Sequence, residues 1–387
     1  ISNPTSRIAT GTSTTRAYLD GASTQPLRPE ARAALLEAWT GPLGDPGRIH
    51  TEGTEARARL EWARERVAAA VGARPRSVVF TSGGSEAIAA ACFGAARSGP
   101  HSVAAPIEHS AVRAWAERGP VTWAEVDRTG RVDVDSLLAA VRSDGDGDET
   151  TGLVHLQWAN HEVGTRQRVT DAVAACRELG VLCHVDACGA LGHEPIAFDE
   201  LGADLMSLSA HKLGGPPGIG ALLVRRGLRL DPLIVGGDQE RARRAGMEPV
   251  ALALGFAAAL DAAVAGREHH AAFARIQTDR VATWADATDG VRVLGDPVDR
   301  LDHLICLGFD EIEPQPLLIG LDQAGVSVHS GSSCASEGLE PSPVLAAMGV
   351  DDQRSMRVSL SWSTTAADID RFLQAAPEVL DRLQALR

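Results

Sequence analysis

The 387-residue sequence has no uninterrupted apolar run near the roughly 18 residues of a membrane span, and residues 1–16 are polar and Ser/Thr-rich, without the apolar core of a signal peptide. Its six cysteines (Cys92, Cys176, Cys183, Cys188, Cys306 and Cys334) include no CxxC pair and stand mostly in apolar contexts. They read as free thiols of a reducing compartment rather than a disulfide framework, so a cytoplasmic address is expected. Positive charge is also short: 37 Lys and Arg face 51 Asp and Glu, a formal net charge of −14. Without a clustered basic footprint, direct nucleic-acid binding by counterion release is not expected, and neither is a membrane partner. No tandem repeat is visible. What is present, 44% hydrophobic residues over this length, suffices for a large core and a second, smaller domain.

Short β-branched runs alternate with Ala-rich stretches, the pattern of a mostly parallel sheet covered by helices. Strands are predicted at 77–80, 103–105, 152–158, 181–186, 203–208 and 219–225, with a helix over 86–96. A long helix over 247–270 leads into a second domain with strands at 291–294, 304–309, 326–328 and 356–360 and a closing helix from Ala366. The Arg-rich stretch 57–66, interleaved with Glu and Ala, reads as a solvated helix face. Two motif-like segments carry no site. Asp144-Gly145-Asp146-Gly147-Asp148 has Glu149 where a calcium loop needs glycine and His155 where it needs an acid, and Gly215-Pro216-Pro217-Gly218-Ile219-Gly220 is followed by a strand rather than a helix. No metal site is expected.

Lys212 ends the turn Ser209-Ala210-His211-Lys212, just after a predicted strand, which is the setting of a lysine that carries a carbonyl cofactor. Cys334 stands in the Gly/Ser-rich segment Ser330-Gly331-Ser332-Ser333-Cys334-Ala335-Ser336, a setting for a nucleophilic thiolate. Together they point to pyridoxal phosphate chemistry on a sulfur-containing substrate. The strand-turn-helix element from Phe80 to Glu86 offers backbone N–H groups and the hydroxyls of Thr81, Ser82 and Ser85. It reads either as a phosphate site or as a capping turn with Ser82 or Ser85 as cap. Asp186, at the end of an apolar strand, is placed to hold a pyridinium nitrogen or to serve as a buried structural acid. His109, after Ile107-Glu108, is placed against a planar ring or in a structural role.

From Tyr18 onward these segments resemble the class I (NifS/IscS-like) cysteine desulfurases, fold-type I pyridoxal-phosphate enzymes. The resemblance rests on Tyr18-Leu19-Asp20, Phe80-Thr81-Ser82-Gly83, Glu108-His109, Asn160-His161-Glu162-Val163-Gly164-Thr165, His184-Val185-Asp186-Ala187, Ser209-Ala210-His211-Lys212, Ser330 to Ser336 with Leu339-Glu340-Pro341-Ser342, and Met356-Arg357-Val358-Ser359-Leu360. It implies an α/β fold with a mostly parallel seven-stranded large domain and a smaller α+β domain. It implies that Lys212 carries pyridoxal 5'-phosphate covalently and moves the substrate α-proton, that His109 stacks on the ring and assists proton transfer, and that Asp186 pairs with the ring nitrogen. Gly84, Ser85, Ser209 and His211 would hold the phosphate. Arg357 would grip the substrate α-carboxylate, with Asn160 and His161 beside it. Cys334 would take sulfur from L-cysteine as a persulfide, release alanine, and pass the sulfur to an acceptor protein. A homodimer is implied.

The chain departs from the family pattern at four places: His161 for a second asparagine, Gly189 for a glutamine, Met247 for a threonine that reaches the partner's phosphate, and Asp45-Pro46 for Asn-Pro. Either the imidazole of His161 fills the space left by Gly189 and donates to the cofactor 3-oxygen itself, or that oxygen is less well held than in the family. Residues 1–16 are expected as a disordered tail, 17–30 as a segment packing on the small domain, 31–250 as the large cofactor-binding domain and 251–387 as the small domain with the Cys334 loop. The sequence stops at Arg387, soon after the closing helix and without the longer scaffold-docking tail of housekeeping desulfurases. That lowers the expectation of a general iron-sulfur role and leaves room for a dedicated pathway such as tRNA thiolation, DNA phosphorothioation or natural-product sulfur. The rival readings are a selenocysteine lyase or other fold-type I enzyme, and a non-catalytic desulfurase-like partner.

Overall fold

A computed structural model describes residues 16–41, 44–142, 150–330, 341–351 and 353–385; the acidic turn 144–148 and the Cys334 loop lie outside the described residues. Strand β1 (Ala17–Tyr18) pairs in parallel with β11 (Val326–Ser327) of the second domain. Between them lie β2 (Val78–Thr81), β3 (His101–Ala104), β4 (Val121–Trp123), β5 (Thr151–Gln157), β6 (Leu182–Asp186), β7 (Leu205–Ser209), β8 (Gly220–Val224), β9 (Val291–Leu294) and β10 (Leu304–Phe309). β12 (His329–Ser330) and β13 (Ser355–Ser359) complete the set. The large sheet has the order β2-β8-β7-β6-β5-β3-β4. Its central strands are buried on both faces, which is why they read as continuous apolar runs.

One strand differs from the parallel expectation. β8 runs antiparallel to both β2 and β7. Residues 210–219 are too few for the crossover of about a dozen or more residues that a parallel neighbour needs, so the chain turns back at Lys212. The edge strand β4 was not predicted; its three residues are only half-buried. The registers Gln157 to Asp186 and Asp186 to Ser207 bring the carboxyl ends of β5, β6 and β7 to one edge of the sheet. That edge is where an α/β sheet places its ligands.

The second sheet, β12-β13-β10-β9, is antiparallel throughout. The long helix runs Val250–Asp286, beyond the predicted 247–270, because its apolar period continues through Ala274, Val281 and Ala285. Ala253 to Ala263 pack in the large core and Ala274 to Ala285 in the small one, with Ala17 and Leu19 joining the latter. This helix is long and apolar enough to cross a membrane by composition, but it spans the two cores. We place the domain division inside it, between Ala263 and Ala274.

Arg64 departs from the solvated helix face expected for 57–66. Its side chain is 2% exposed, and its two terminal nitrogens donate to Glu240 at 2.6 and 2.8 Å. The same carboxylate accepts from the Phe80 amide at 3.0 Å, and the guanidinium stacks 4.8 Å from the Phe80 ring. Glu240 begins a left-handed run (φ 47, 59 and 60° at Glu240, Arg241 and Ala242) that the pair holds against β2. Removing the Glu240 charge leaves the buried Arg64 with only the more exposed Glu61 carboxylate, 3.1 Å from its Nε. Glu240→Gln is therefore expected to lower stability by about 3–5 kcal/mol in denaturant unfolding, whereas Asp261→Asn, at the solvent-screened Arg66 pair, should leave the unfolding midpoint nearly unchanged.

Candidate active site

The carboxyl edge of β5, β6 and β7 opens on a cavity of about 170 Å³ whose walls include His109, His161, Asp186, Ser209, His211 and Lys212. Lys212 stands in the tight turn Ala210–Leu213, closed by Gly214 at φ 87°. Its Nζ donates to the Ala22 carbonyl at 2.6 Å. Burial, and then the nearby Arg357, pushes its pKa down to about 8. It is the single lysine among the 37 lysines and arginines of the chain, a signal that a residue-type count reveals.

Asp186 ends β6 and is 7% exposed; its Oδ1 accepts from the Cys188 amide at 3.0 Å. His109 caps the helix Ser110–Ala116, with Nδ1 accepting from the Ala111 amide at 3.1 Å, which leaves the proton of the neutral ring on Nε2. Burial holds its pKa below the ordinary histidine value, although Asp186 opposes this. The His161 ring meets His109 edge-on at 5.3 Å and 65°. Burial and then His109 keep His161 neutral, well below its usual pKa.

The helix Gly84–Ala95 begins at this cavity, and its N-cap, Gly83 at φ 152°, supplies no side-chain cap. Neither Ser82 nor Ser85 caps it; Glu86 instead accepts from the Ser82 amide at 2.8 Å. A Cβ on Gly84 would lie 2.6 Å from Cys188 Sγ, so glycine is required for this close approach. Ser209 Oγ is buried without a hydrogen-bond partner, and Gly84, Ser85 and His211 line the same cavity. Uncapped amides and an unsatisfied hydroxyl fit the oxygens of a phosphate. With an amine and a carboxylate in the same cavity, the residues fit pyridoxal phosphate.

Two predicted substrate contacts stand back from the wall. Asn160 is fully buried: its Nδ2 donates to Ile107 O at 3.2 Å and its Oδ1 accepts from the Glu162 and Val163 amides at 2.9 Å. Arg357 is 1% exposed and donates to Asp20 Oδ1, Ser23 Oγ and the His161 carbonyl at 2.9, 2.8 and 2.7 Å. Its Nε is buried without an acceptor. Cys334 lies outside the described residues. Residues not singled out in the sequence also line the cavity: Gln157, Cys188 and His303. Beneath it Glu108 accepts from the Gln157 amide at 2.8 Å, and burial pushes its carboxyl up to about 8.

The aminotransferase class-V family model matches residues 17–372. A cysteine desulfurase of Cereibacter sphaeroides is 39% identical over 96% of this chain and 97% of its own length. A NifS-like protein of known structure superposes with a TM-score of 0.87 at 30% identity, covering 95% of this chain and 100% of its own. The chain belongs to the cysteine desulfurases of aminotransferase class V. A further solved structure, SspA in complex with cysteine, has a TM-score of 0.76 at 26% identity and covers 89% of this chain and 98% of its own.

For this desulfurase the orphaned hydroxyl gives a direct check on the phosphate cradle. Ser209→Ala removes an unsatisfied buried group, so the cofactor-free protein is expected to be as stable as the parent or up to about 1 kcal/mol more stable. The same variant should bind pyridoxal phosphate more weakly in equilibrium dialysis. A loss of cofactor-free stability would instead mark Ser209 as a structural hydroxyl.

Proposed function

We propose that this enzyme removes sulfur from L-cysteine with pyridoxal phosphate held by Lys212, Asp186, His109 and the Gly84/Ser85/Ser209/His211 cradle. The observation that carries the reading is the chain's one lysine, half-buried at the carboxyl edge of β7 in the cavity that Asp186 lines from β6. When bound, the cofactor supplies an electron sink for the pair released at the substrate α-carbon. Asp186 holds the ring nitrogen, where its carboxylate favours the protonated form. His109 and His161, neutral and edge-on to each other, offer a ring face and an N–H donor without adding positive charge.

Lys212, once free, takes the α-proton of the substrate; a pKa near 8 leaves part of the amine unprotonated at neutral pH. Arg357 anchors the α-carboxylate, which must compete with Asp20 and Ser23 for the guanidinium and finds an unsatisfied Nε there. That competition makes substrate entry an exchange of one carboxylate for another. Asn160 acts through its turn, fixing the backbone that carries His161. Cys334 attacks as thiolate on the substrate sulfur. The carbon–sulfur bond breaks with its electron pair left on carbon, the sulfur stays on Cys334 as a persulfide, and protonation of the carbon yields alanine.

The persulfide is then taken by the thiol of an acceptor protein. A homodimer is supported by the exposed apolar side chains Leu36, Trp39 and Trp62 on the helices Pro29–Thr40 and Thr51–Ala70. A cytoplasmic location accords with the free thiols Cys92, Cys176, Cys183, Cys188 and Cys306. Cysteine turnover in two variants tests the assignment. Cys334→Ser is expected to stay yellow with cofactor and to lose alanine formation, while Lys212→Ala loses both; sustained alanine release by Cys334→Ser would overturn the persulfide step.

A further inference from the structure

A second cavity, of about 460 Å³, lies where the two domains meet. The large domain gives it His193, the long helix gives it Gly266 and His270 between its two core-facing stretches, and the small domain gives it Trp362 and Thr365 just before the closing helix. Among the described residues no Asp or Glu lines it. It holds one strong cation. Arg28 donates through Nε to the Leu213 carbonyl at 2.8 Å, and its guanidinium lies 5.2 Å from the centroid of the Trp362 ring. Trp362 is itself fixed by its ring N–H to the Pro26 carbonyl at 2.7 Å. Arg28 forms no ion pair among the described residues, so its terminal nitrogens keep their donors for something that enters the cavity. The apolar part of the wall is made by Phe273 and the Trp362 ring, beside the imidazoles of His193, His269 and His270.

This cavity touches the catalytic one through two short routes. The Gln25 amide donates to the His211 carbonyl at 3.0 Å and the Arg28 amide to the Gly214 carbonyl at 2.8 Å, bracketing Lys212. His193 stacks on His303 at 3.6 Å and 14°, and His303 lines the catalytic cavity. Gln25 also bridges the two walls, facing His193 Nε2 at 3.1 Å with its Nε2 and accepting from the Trp362 amide at 3.3 Å.

We propose that the hinge cavity binds a small organic carboxylate with an aromatic or branched apolar body, held by Arg28, and that its occupancy locks the two domains together. A guanidinium with free terminal N–H groups selects a carboxylate by its fork, and the indole and Phe273 select the apolar body. The ligand spans elements of both domains and so favours their present arrangement over any other.

Calorimetric titration of the full-length, cofactor-loaded protein with phenylacetate tests this, and the readout does not depend on the desulfurase reaction. Saturable one-to-one binding is expected, with Arg28→Gln weakening it at least about tenfold, the loss of one charge-assisted pair. A Cβ on Gly266 meets no atom within 4 Å. Gly266→Leu therefore enters open space at the cavity wall, improves a helix interior, and should abolish binding while leaving the fold intact. Neutral 2-phenylethanol should bind at least about tenfold more weakly than phenylacetate. Absence of saturable binding, binding unchanged in both variants, or equal binding of the alcohol would overturn the proposal. Hydrogen exchange should slow together at 190–193 of the large domain and 364–366 of the small one; protection confined to one domain would contradict the locking.

Discussion

Everything at the catalytic edge depends on keeping one amine out of water. Lys212 is half-buried in a turn between an ascending strand and one that doubles straight back, and the ammonium form is disfavoured there by loss of hydration. The turn is pinned from outside by the segment Gln25–Arg28, which bonds to the carbonyls of His211, Leu213 and Gly214. The amine itself has the Ala22 carbonyl as acceptor. An N-terminal segment whose β1 pairs with β11 of the small domain therefore sets the position of the key residue of the large one.

The remaining groups follow from the same edge. Parallel registers put Asp186 one strand from the Lys212 turn, and the helix start at Gly84 faces both across Cys188. The buried pair of Arg64 and Glu240 holds the Phe80 amide, and so the strand that delivers the Gly83/Gly84 turn. Charge at the site is managed by dehydration: burial holds His109, His161 and His303 below the ordinary histidine pKa, and Arg357 adds to this at His161 and His303. A cavity with several imidazoles is thus less positive than its composition implies.

Much of this was legible in the sequence because buried parallel strands announce themselves as apolar runs, and the residues at their ends stand next to them in the chain. Lys212, Asp186, Ser209 and the Thr81–Ser85 turn all stand at such strand ends. Partnerships over long sequence distances were not legible. Nothing around Arg64 signals Glu240, nothing around His193 signals His303, and the helical period of 250–286 does not say which turn passes from one core to the other. The direction of β8 follows from the length of a connection rather than from any residue in the strand. Arg357 is the instructive case: its identity suggested a substrate anchor, while Asp20 and Ser23, far away in the chain, already occupy much of its fork.

The most direct measurement is the pH dependence of covalent capture of pyridoxal phosphate by the cofactor-free protein, with reduction and peptide mapping to Lys212, the one lysine available. Only the unprotonated amine reacts, so the capture rate should rise about tenfold per pH unit below the pKa and then level off. With the amine depressed to about 8 from 10.5, levelling is expected near pH 8. A rate still climbing tenfold per unit beyond about pH 9.5 would show an ordinary, hydrated lysine, and the account of a dehydrated amine governing this site would fail.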